Sequence, residues 1–241
     1  MFKDIENKIK RLDVITEPFP HIVIDEILDP KIAKELVKKY PSQNLDSKRD
    51  NQRWNISSNV IQDDVSIDKV WKKLLSEIHC TSFIDLLINK FKPYVNKKYN
   101  NEFDRHLQLN SKNLISLGRK KKEDDNYFEI QVSGNTQVIK KKIVRGIHVD
   151  SGKKLFSGLL YLGNQDLMSY KGGNLELYKW KFRFPSFFKE ILYEEPLSKK
   201  LCTRLKTIET KHNRAVFFVN SIDSLHAVSE RSYTAKERYF L

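Results

Sequence analysis

The 241-residue chain is poor in the residues that punctuate or staple a fold, with 8 glycines, 7 prolines and 2 cysteines. So little Gly and Pro excludes a collagen-like or linker-dominated chain. Cys80 and Cys202 match no metal-ligand spacing and are too few for a disulfide framework, so a reducing, cytoplasmic setting is expected. The longest apolar run, residues 215–219, has five members, against the ~18 that a membrane helix needs. The opening Met1-Phe2-Lys3-Asp4-Ile5-Glu6 lacks the apolar stretch of a secretory signal. No repeat and no Gly/Ser- or Pro-rich linker divides the chain, which reads as one domain over 1–241. What is present in quantity is hydrophobic residue (39%) and aromatic residue (11%), enough for a packed core and too much for wholesale disorder. Charge is the other surplus, at +13 net. Such an excess suits acidic partners, whether nucleic acid or anionic small molecules and peptides. Only 11 of the 44 basic residues are arginine, the side chain built for bidentate phosphate recognition. A lysine-coated solvated surface is therefore preferred over a nucleic-acid footprint.

The hydrophobic pattern changes character midway. Residues 1–110 read as mainly helical support. Asp29 followed by Pro30 forms an N-cap and first turn, and Ile32, Ala33, Leu36, Val37 and Tyr40 recur at helical spacing until Pro41. Val65, Val70, Trp71, Leu74, Leu75 and Ile78 predict a second helix. Phe83, Ile84, Leu87, Ile88 and Phe91 predict a third, closed near Pro93. Ahead of them, Pro18-Phe19-Pro20-His21-Ile22-Val23-Ile24-Asp25 reads as a short buried strand, and the charged stretch 112–125 as a loop. From 127 to 241 the pattern is strands between turns, at 127–132, 138–144, 158–162, 174–178, 215–219, 225–228 and 238–241. Seven short β segments predict a sandwich or double-sheet jelly roll, so the class is α+β. Residues 180–188 interleave aromatics with basic side chains. That pattern fits a stacking platform for single-stranded nucleic acid, but aromatics packed on the sheet are the preferred reading.

The sharpest local feature is His148-Val149-Asp150. On a strand, residues i and i+2 share a face, so imidazole and carboxylate converge. The pair alone says little, but His226 follows a strongly apolar strand 78 residues later. Two imidazoles and a carboxylate arranged facially are the ligand set that suits non-haem Fe(II), with coordination positions left open. Arg238, in Glu237-Arg238-Tyr239-Phe240, is placed to hold a carboxylate in the same cavity, and Arg231 is its rival. His21, His79, His106 and His212 have no comparable neighbours and read as surface or packing residues. Arg145 reads either as a greeting for an anionic substrate or as a surface salt bridge.

These residues resemble those of the Fe(II)/2-oxoglutarate-dependent oxygenases of the double-stranded β-helix fold, in the prolyl 4-hydroxylase-like bacterial and viral branch. Gly146-Ile147-His148-Val149-Asp150 looks like the first metal motif. Leu155-Phe156-Ser157-Gly158-Leu159-Leu160-Tyr161-Leu162 looks like the following strand, whose tyrosine in such enzymes reaches the 2-oxoglutarate carboxylate. Gly172-Gly173-Asn174-Leu175-Glu176-Leu177 looks like the family's turn and strand. Asn213 to Val219 and Leu225-His226-Ala227-Val228 look like the segment of the second histidine, and Arg238-Tyr239 like the motif that follows. The sequence ends three residues after Arg238, so the last strand is expected to be short or trimmed.

The resemblance implies a double-stranded β-helix (jelly-roll, cupin-like) core over 127–241, buttressed by N-terminal helices. It implies Fe(II) on His148, Asp150 and His226, and 2-oxoglutarate on Arg238 assisted by Tyr161. It further implies O₂ as co-reactant, with ascorbate used by some such enzymes. The reaction would convert 2-oxoglutarate, O₂ and a substrate C–H into succinate, CO₂ and a C–OH. Halogenating relatives replace the carboxylate by Gly or Ala, and Asp150 is retained here, which favours hydroxylation. The leading substrate is an amino-acid side chain, free or peptidyl. A small biosynthetic metabolite, a nucleic-acid demethylase and a non-catalytic jelly-roll binding module are the alternatives.

Overall fold

A computed structural model describes residues 1–41, 50–98, 115–117, 126–140, 143, 145–151, 154–163, 172–182, 192, 195–235 and 237–241. The N-terminal half supplies five helices and two strands. These are α1 (Phe2–Arg11), β1 (His21–Ile24), α2 (Pro30–Lys38), β2 (Arg53–Ser57), α3 (Ser58–Asp63), α4 (Lys69–Ile78) and α5 (Thr81–Lys98). Helix α2 starts where the sequence places it: Asp29 Oδ1 accepts from the backbone N–H groups of Lys31 and Ile32, and Pro30 occupies the first turn. Helix α4 is capped by Asp68 and begins at Lys69 rather than near Val65, which is 95% exposed. Its buried face, Trp71, Leu74, Leu75 and Ile78, follows the helical period, and Trp71 Nε1 donates to the Leu36 carbonyl of α2 at 3.1 Å.

Helix α5 runs through Pro93 instead of closing there. A proline inside a helix leaves the carbonyl four residues earlier without its partner. Here that residue, Asn89, and Pro93 itself are both exposed, so water can serve the carbonyl, while buried Phe91 and Val95 keep the opposite face packed.

The C-terminal half supplies β3 (Ile115–Leu117) and β4 (Asn126–Phe128), which pair with each other, and then β5 (Gln131–Asn135), β6 (Arg145–His148), β7 (Phe156–Leu162), β8 (Leu175–Trp180), β9 (Cys202–Ile208), β10 (Arg214–Val219), β11 (His226–Val228) and β12 (Arg238–Phe240). The last eight form two antiparallel sheets. The first has the order β1-β10-β7-β12-β5-β2 and the second β6-β11-β8-β9. From β5 onward the chain steps from one sheet to the other at nearly every strand, the winding of a jelly roll. The α+β class and the jelly-roll core are thus present as expected. Strands β1 and β2 extend the larger sheet from the N-terminal half.

Period-two alternation sorts the side chains of the larger sheet into two layers. Leu160 and Leu162 of β7 and Ala215 and Val219 of β10 join Trp71, Leu74, Phe91 and the other helical residues in the main core. The intervening Tyr161, Val216, Phe218 and Phe240 face the barrel interior with Leu175, Leu177 and Ile208 of the smaller sheet. The outer face of the smaller sheet carries a third cluster, Ile147, Val149, Tyr178, Cys202, Leu225 and Ala227. Tyr40 ties the layers together: its hydroxyl donates to the Ser133 carbonyl at 2.8 Å and the Phe240 carbonyl at 3.2 Å, and its ring stacks on Tyr239.

The expected strand at 138–144 is corrected. Val138 makes only an isolated bridge to Thr234, and the strand begins at Arg145. Val138 is buried, whereas Ile139 and Ile143 are each 47% exposed, so the described residues of the segment show no alternating buried face; 141, 142 and 144 lie outside the described residues. Of the charged loop 112–125 all but 115–117 lies outside the described residues, as does 183–188 of the aromatic segment. Its leading Trp180 packs against the third cluster and donates its indole N–H to the Ile222 carbonyl. Among the described residues, no helix is long and apolar enough to cross a membrane.

Candidate metal centre

Strand β11 lies between β6 and β8 in the smaller sheet, and its register sets His226 directly opposite His148. The two imidazole centroids are 4.2 Å apart. Asp150 stands two residues beyond His148, just past the end of β6, and turns its carboxylate back toward both rings. His148 Nε2 is 3.6 Å from Oδ1 and His226 Nε2 is 4.0 Å from Oδ2. All three side chains are buried, and one ligand atom from each lies within 4.8 Å of the others.

The backbone fixes which nitrogen each ring presents. His148 Nδ1 is 2.8 Å from the Gly146 carbonyl and His226 Nδ1 is 2.9 Å from the Ser224 carbonyl. A carbonyl only accepts, so each Nδ1 donates its proton there and each Nε2 is the nitrogen turned toward the Asp150 carboxylate. His148 Nε2 is buried with no hydrogen-bond partner. A buried acceptor left open opposite a second imidazole and a carboxylate is what a site for a divalent ion requires. Burial pushes the His226 imidazole down to about 4 against the pull of Asp150, so the ring is neutral near pH 7, as a ligand must be. Burial resists ionisation of Asp150, but contact with His148, the Lys154 charge and the Ser157 hydroxyl outweigh it. The carboxyl is held well below the usual range. Ser157, on β7, donates to Oδ2 at 2.8 Å, and Lys154 Nζ and Arg145 Nη1 stand 3.4 and 3.6 Å from the two oxygens.

The two candidate arginines differ in their surroundings. Arg231 is fully buried and its Nη1 donates to Asn51 Oδ1 at 2.6 Å and to the Thr136 carbonyl at 3.2 Å. Arg238, on β12, points into the barrel, where its guanidinium lies 5.2 Å from the Tyr161 ring centre and 5.3 Å from that of Phe240. It is 5% exposed, and its Nε has no hydrogen-bond partner among the described residues. Gly173, held at φ +75°, fits beneath both arginines: a Cβ there would stand 2.8 Å from Arg238 Nη1 and 3.1 Å from Arg231 Cγ.

Several neighbours of the site carry no signal in the sequence. Ser157 is a common residue seven positions past Asp150, and only the strand register brings it onto the carboxylate. Arg53 reaches the barrel because β2 pairs with β5, a pairing between segments 78 residues apart at Asn55 and Ser133. The remaining histidines behave as packing residues where they are described: His21 Nδ1 bonds the Phe19 carbonyl, His79 Nε2 the Phe128 carbonyl, and His212 Nδ1 accepts from Gly163. His106 lies outside the described residues. A cavity of about 590 Å³ on the outer face of the smaller sheet is lined by Arg145, Glu176, Tyr178 and Arg204 among others. It includes none of the three candidate ligands, and Arg145, which lines it, also stands 3.6 Å from Asp150 Oδ1.

Strand order and ligand set together define a jelly-roll protein with a two-histidine, one-carboxylate site, resembling the Fe(II)/2-oxoglutarate oxygenases. No family model and no curated protein sequence matches the chain. Among solved structures it is similar to a Phytophthora capsici prolyl 4-hydroxylase at 15% identity and TM-score 0.44, over 100% of this chain and 63% of that one. It is likewise similar to a Trichoplax adhaerens prolyl hydroxylase solved with a peptide fragment of the hypoxia-inducible-factor oxygen degradation domain. There the identity is 15% and the TM-score 0.41, over 99% and 86% of the chains. A Pseudomonas putida prolyl-4-hydroxylase gives 12% identity and TM-score 0.36, over 100% and 95%.

Proposed function

We propose that the chain is a non-haem Fe(II)/2-oxoglutarate-dependent oxygenase that hydroxylates an unactivated C–H bond, with an amino-acid side chain, free or peptidyl, as its substrate. The observation that carries this reading is the convergence of His148, Asp150 and His226, with both imidazoles oriented by backbone carbonyls and both Nε2 atoms directed at one carboxylate.

His148, Asp150 and His226 would hold Fe(II), while Arg238 and Tyr161 would hold 2-oxoglutarate. Together these supply the oxidising chemistry, in which 2-oxoglutarate, O₂ and the substrate C–H give succinate, CO₂ and C–OH. The protein's own work is positional. The Gly146 and Ser224 carbonyls fix the imidazole tautomers, and second-shell bonds of this kind hold ligand geometry and basicity. Ser157 anchors Oδ2 of Asp150 and stops the carboxylate rotating away from the rings. The planar fork of Arg238 suits bidentate capture of a carboxylate, and the rings of Tyr161 and Phe240 hold that fork in place. Phe218, whose ring lies 5.0 Å from that of His226, belongs with Val216 and Leu177 to an apolar interior wall that keeps water from the reacting carbon.

The test is succinate formation from 2-oxoglutarate in air with Fe(II), in wild type and in Asp150→Ala. Turnover abolished by the substitution, with the thermal transition retained, is expected. Succinate production unchanged by it would remove the metal assignment.

A further inference from the structure

Edge strands of the two sheets each bring an arginine to the surroundings of Asp150 and Phe240. Strand β2 closes one edge of the larger sheet and β6 one edge of the smaller. Each contributes an exposed arginine, Arg53 and Arg145. Arg53 lies opposite Asn135, which lies opposite Arg238 on its other side, so the three side chains share the interior face. The guanidinium of Arg53 is 5.2 Å from the Phe240 ring centre, against the same ring as Arg238. Arg145 reaches round the end of β6 to within 3.6 Å of Asp150 Oδ1, and Lys154 stands 3.4 Å from Oδ2. Burial and the neighbouring Arg145 charge lower the Arg53 pKa, which agrees with crowding of like charges at this rim.

The charges do not balance. Among the described residues, Arg145 and Lys154 both stand within 4.0 Å of the Asp150 carboxylate, and neither Arg53 nor Arg238 has a carboxylate within 4.0 Å. A divalent ion in the site would add positive charge, and a cosubstrate carboxylate on buried Arg238 would leave the exposed rim uncompensated. Arg53 spends its Nε on Asn55 Oδ1 at 2.8 Å, and the side chain is exposed.

We propose that Arg53 and Arg145 form a carboxylate-recognition rim, so that the substrate is an anion that presents a carboxylate beside the carbon it offers to the metal centre. This rests on the oxygenase reading and narrows it from any amino-acid side chain to one in an acidic setting. The carboxylate belongs either to acidic residues flanking the target in a peptide or to a small acyl amino acid.

Binding is measured anaerobically on protein loaded with Fe(II) and 2-oxoglutarate. Anisotropy compares fluorescein-labelled Glu-Glu-Pro-Glu-Glu with Lys-Lys-Pro-Lys-Lys, and calorimetry compares N-acetyl-L-glutamate with N-acetyl-L-lysine. At least about a tenfold preference for the acidic probe in one arm is expected, the scale of one charge-assisted bidentate contact; the arm that shows it identifies the source of the carboxylate. Arg53→Ala and Arg145→Ala should each remove most of that preference. Arg11→Ala, an exposed arginine on helix α1, should leave it intact. Absence of preference in both arms overturns the proposal. So does equal loss in Arg11→Ala, which would trace the preference to the +13 net charge. Because Arg145 touches a candidate metal ligand, Arg53→Ala decides the matter. Failure to load Fe(II) and 2-oxoglutarate at all would instead refute the oxygenase reading.

Discussion

Replacing Arg238 by Met tests whether the cosubstrate carboxylate is held where the barrel places a guanidinium that has no carboxylate partner among the described residues. Arg238 is 5% exposed and lies near the Tyr161 and Phe240 rings, with Nε unsatisfied among the described residues. A buried charge in that state is costly on its own and is repaid when an anion arrives. Removing one partner of a buried, hydrogen-bonded charge pair costs about 2–4 kcal/mol of binding, or roughly 30- to 700-fold in the 2-oxoglutarate Kd. Thermal unfolding reads this directly. At 100 times its Kd a ligand stabilises the folded state by about 2.7 kcal/mol. In a chain of this size each kcal/mol moves Tm by about 2–4 °C, so wild type with Fe(II) under anaerobic conditions should gain roughly 5–11 °C from 2-oxoglutarate. Arg238→Met should lose between about two thirds and nearly all of that gain, while its ligand-free Tm stays within a few degrees of wild type because the flexible Met fills the apolar space between the rings. Arg231→Met should do the reverse. It removes the buried Nη1 donor to Asn51 Oδ1 and the Thr136 carbonyl, lowers ligand-free stability by about 1–3 kcal/mol, and keeps the ligand-induced shift. A shift retained in Arg238→Met and lost in Arg231→Met would show that the wrong arginine has been assigned.

Gly173→Ala places a methyl group 2.8 Å from Arg238 Nη1 at a backbone φ of +75°. About 1 kcal/mol of strain is expected from the backbone alone, together with a raised KM for 2-oxoglutarate; an unchanged KM would mean the turn does not position the arginine. Asp25 accepts from Arg214 Nε and Nη2 at 2.5 and 2.9 Å, and that guanidinium, against some burial, pulls its carboxyl down to about 2. Its folded pKa lies below its unfolded one, so the pair stabilises above about pH 4 and the benefit disappears as pH falls through about 2. The carboxylate is 43% exposed, so Asp25→Asn should cost less than about 1 kcal/mol at pH 7 in denaturant unfolding. A cost that persisted at pH 2 would contradict that assignment. Ser157→Ala removes the donor to Asp150 Oδ2. Fe(II) affinity should fall by about 10-fold, the lower end for a second-shell partner, with Tm nearly unchanged; unaltered affinity would make Ser157 incidental.

The parts of this molecule legible in its sequence are those whose signals are local. Asp29-Pro30 announces α2 because a cap and its helix are neighbours along the chain. His148-Val149-Asp150 announces a shared face because alternation along an extended chain needs no tertiary information. Strand β10 is legible because both of its faces are buried, giving the run Ala215-Val216-Phe217-Phe218-Val219. Strand β9 escapes the same reading. It is an edge strand whose Arg204, Leu205 and Thr207 face solvent, so Cys202 to Ile208 shows no run of apolar residues. Strand β2 is five residues long, and its role depends on β5, which lies far along the chain. The rim arginine Arg53 inherits that difficulty, because a cross-strand neighbour is defined by register rather than by spacing. Helix α5 shows the opposite error: Pro93 is a strong local stop signal, overridden where packing by Phe91 and Val95 outweighs one missing hydrogen bond.

The most direct measurement is anaerobic calorimetry of Fe(II) binding followed by 2-oxoglutarate, in wild type and in His226→Ala. The account predicts one Fe(II) per chain, 2-oxoglutarate binding only after the metal, and loss of both steps in the variant. Metal binding unaffected by His226→Ala, or 2-oxoglutarate binding without metal, would contradict the claim that His148, Asp150 and His226 form the centre.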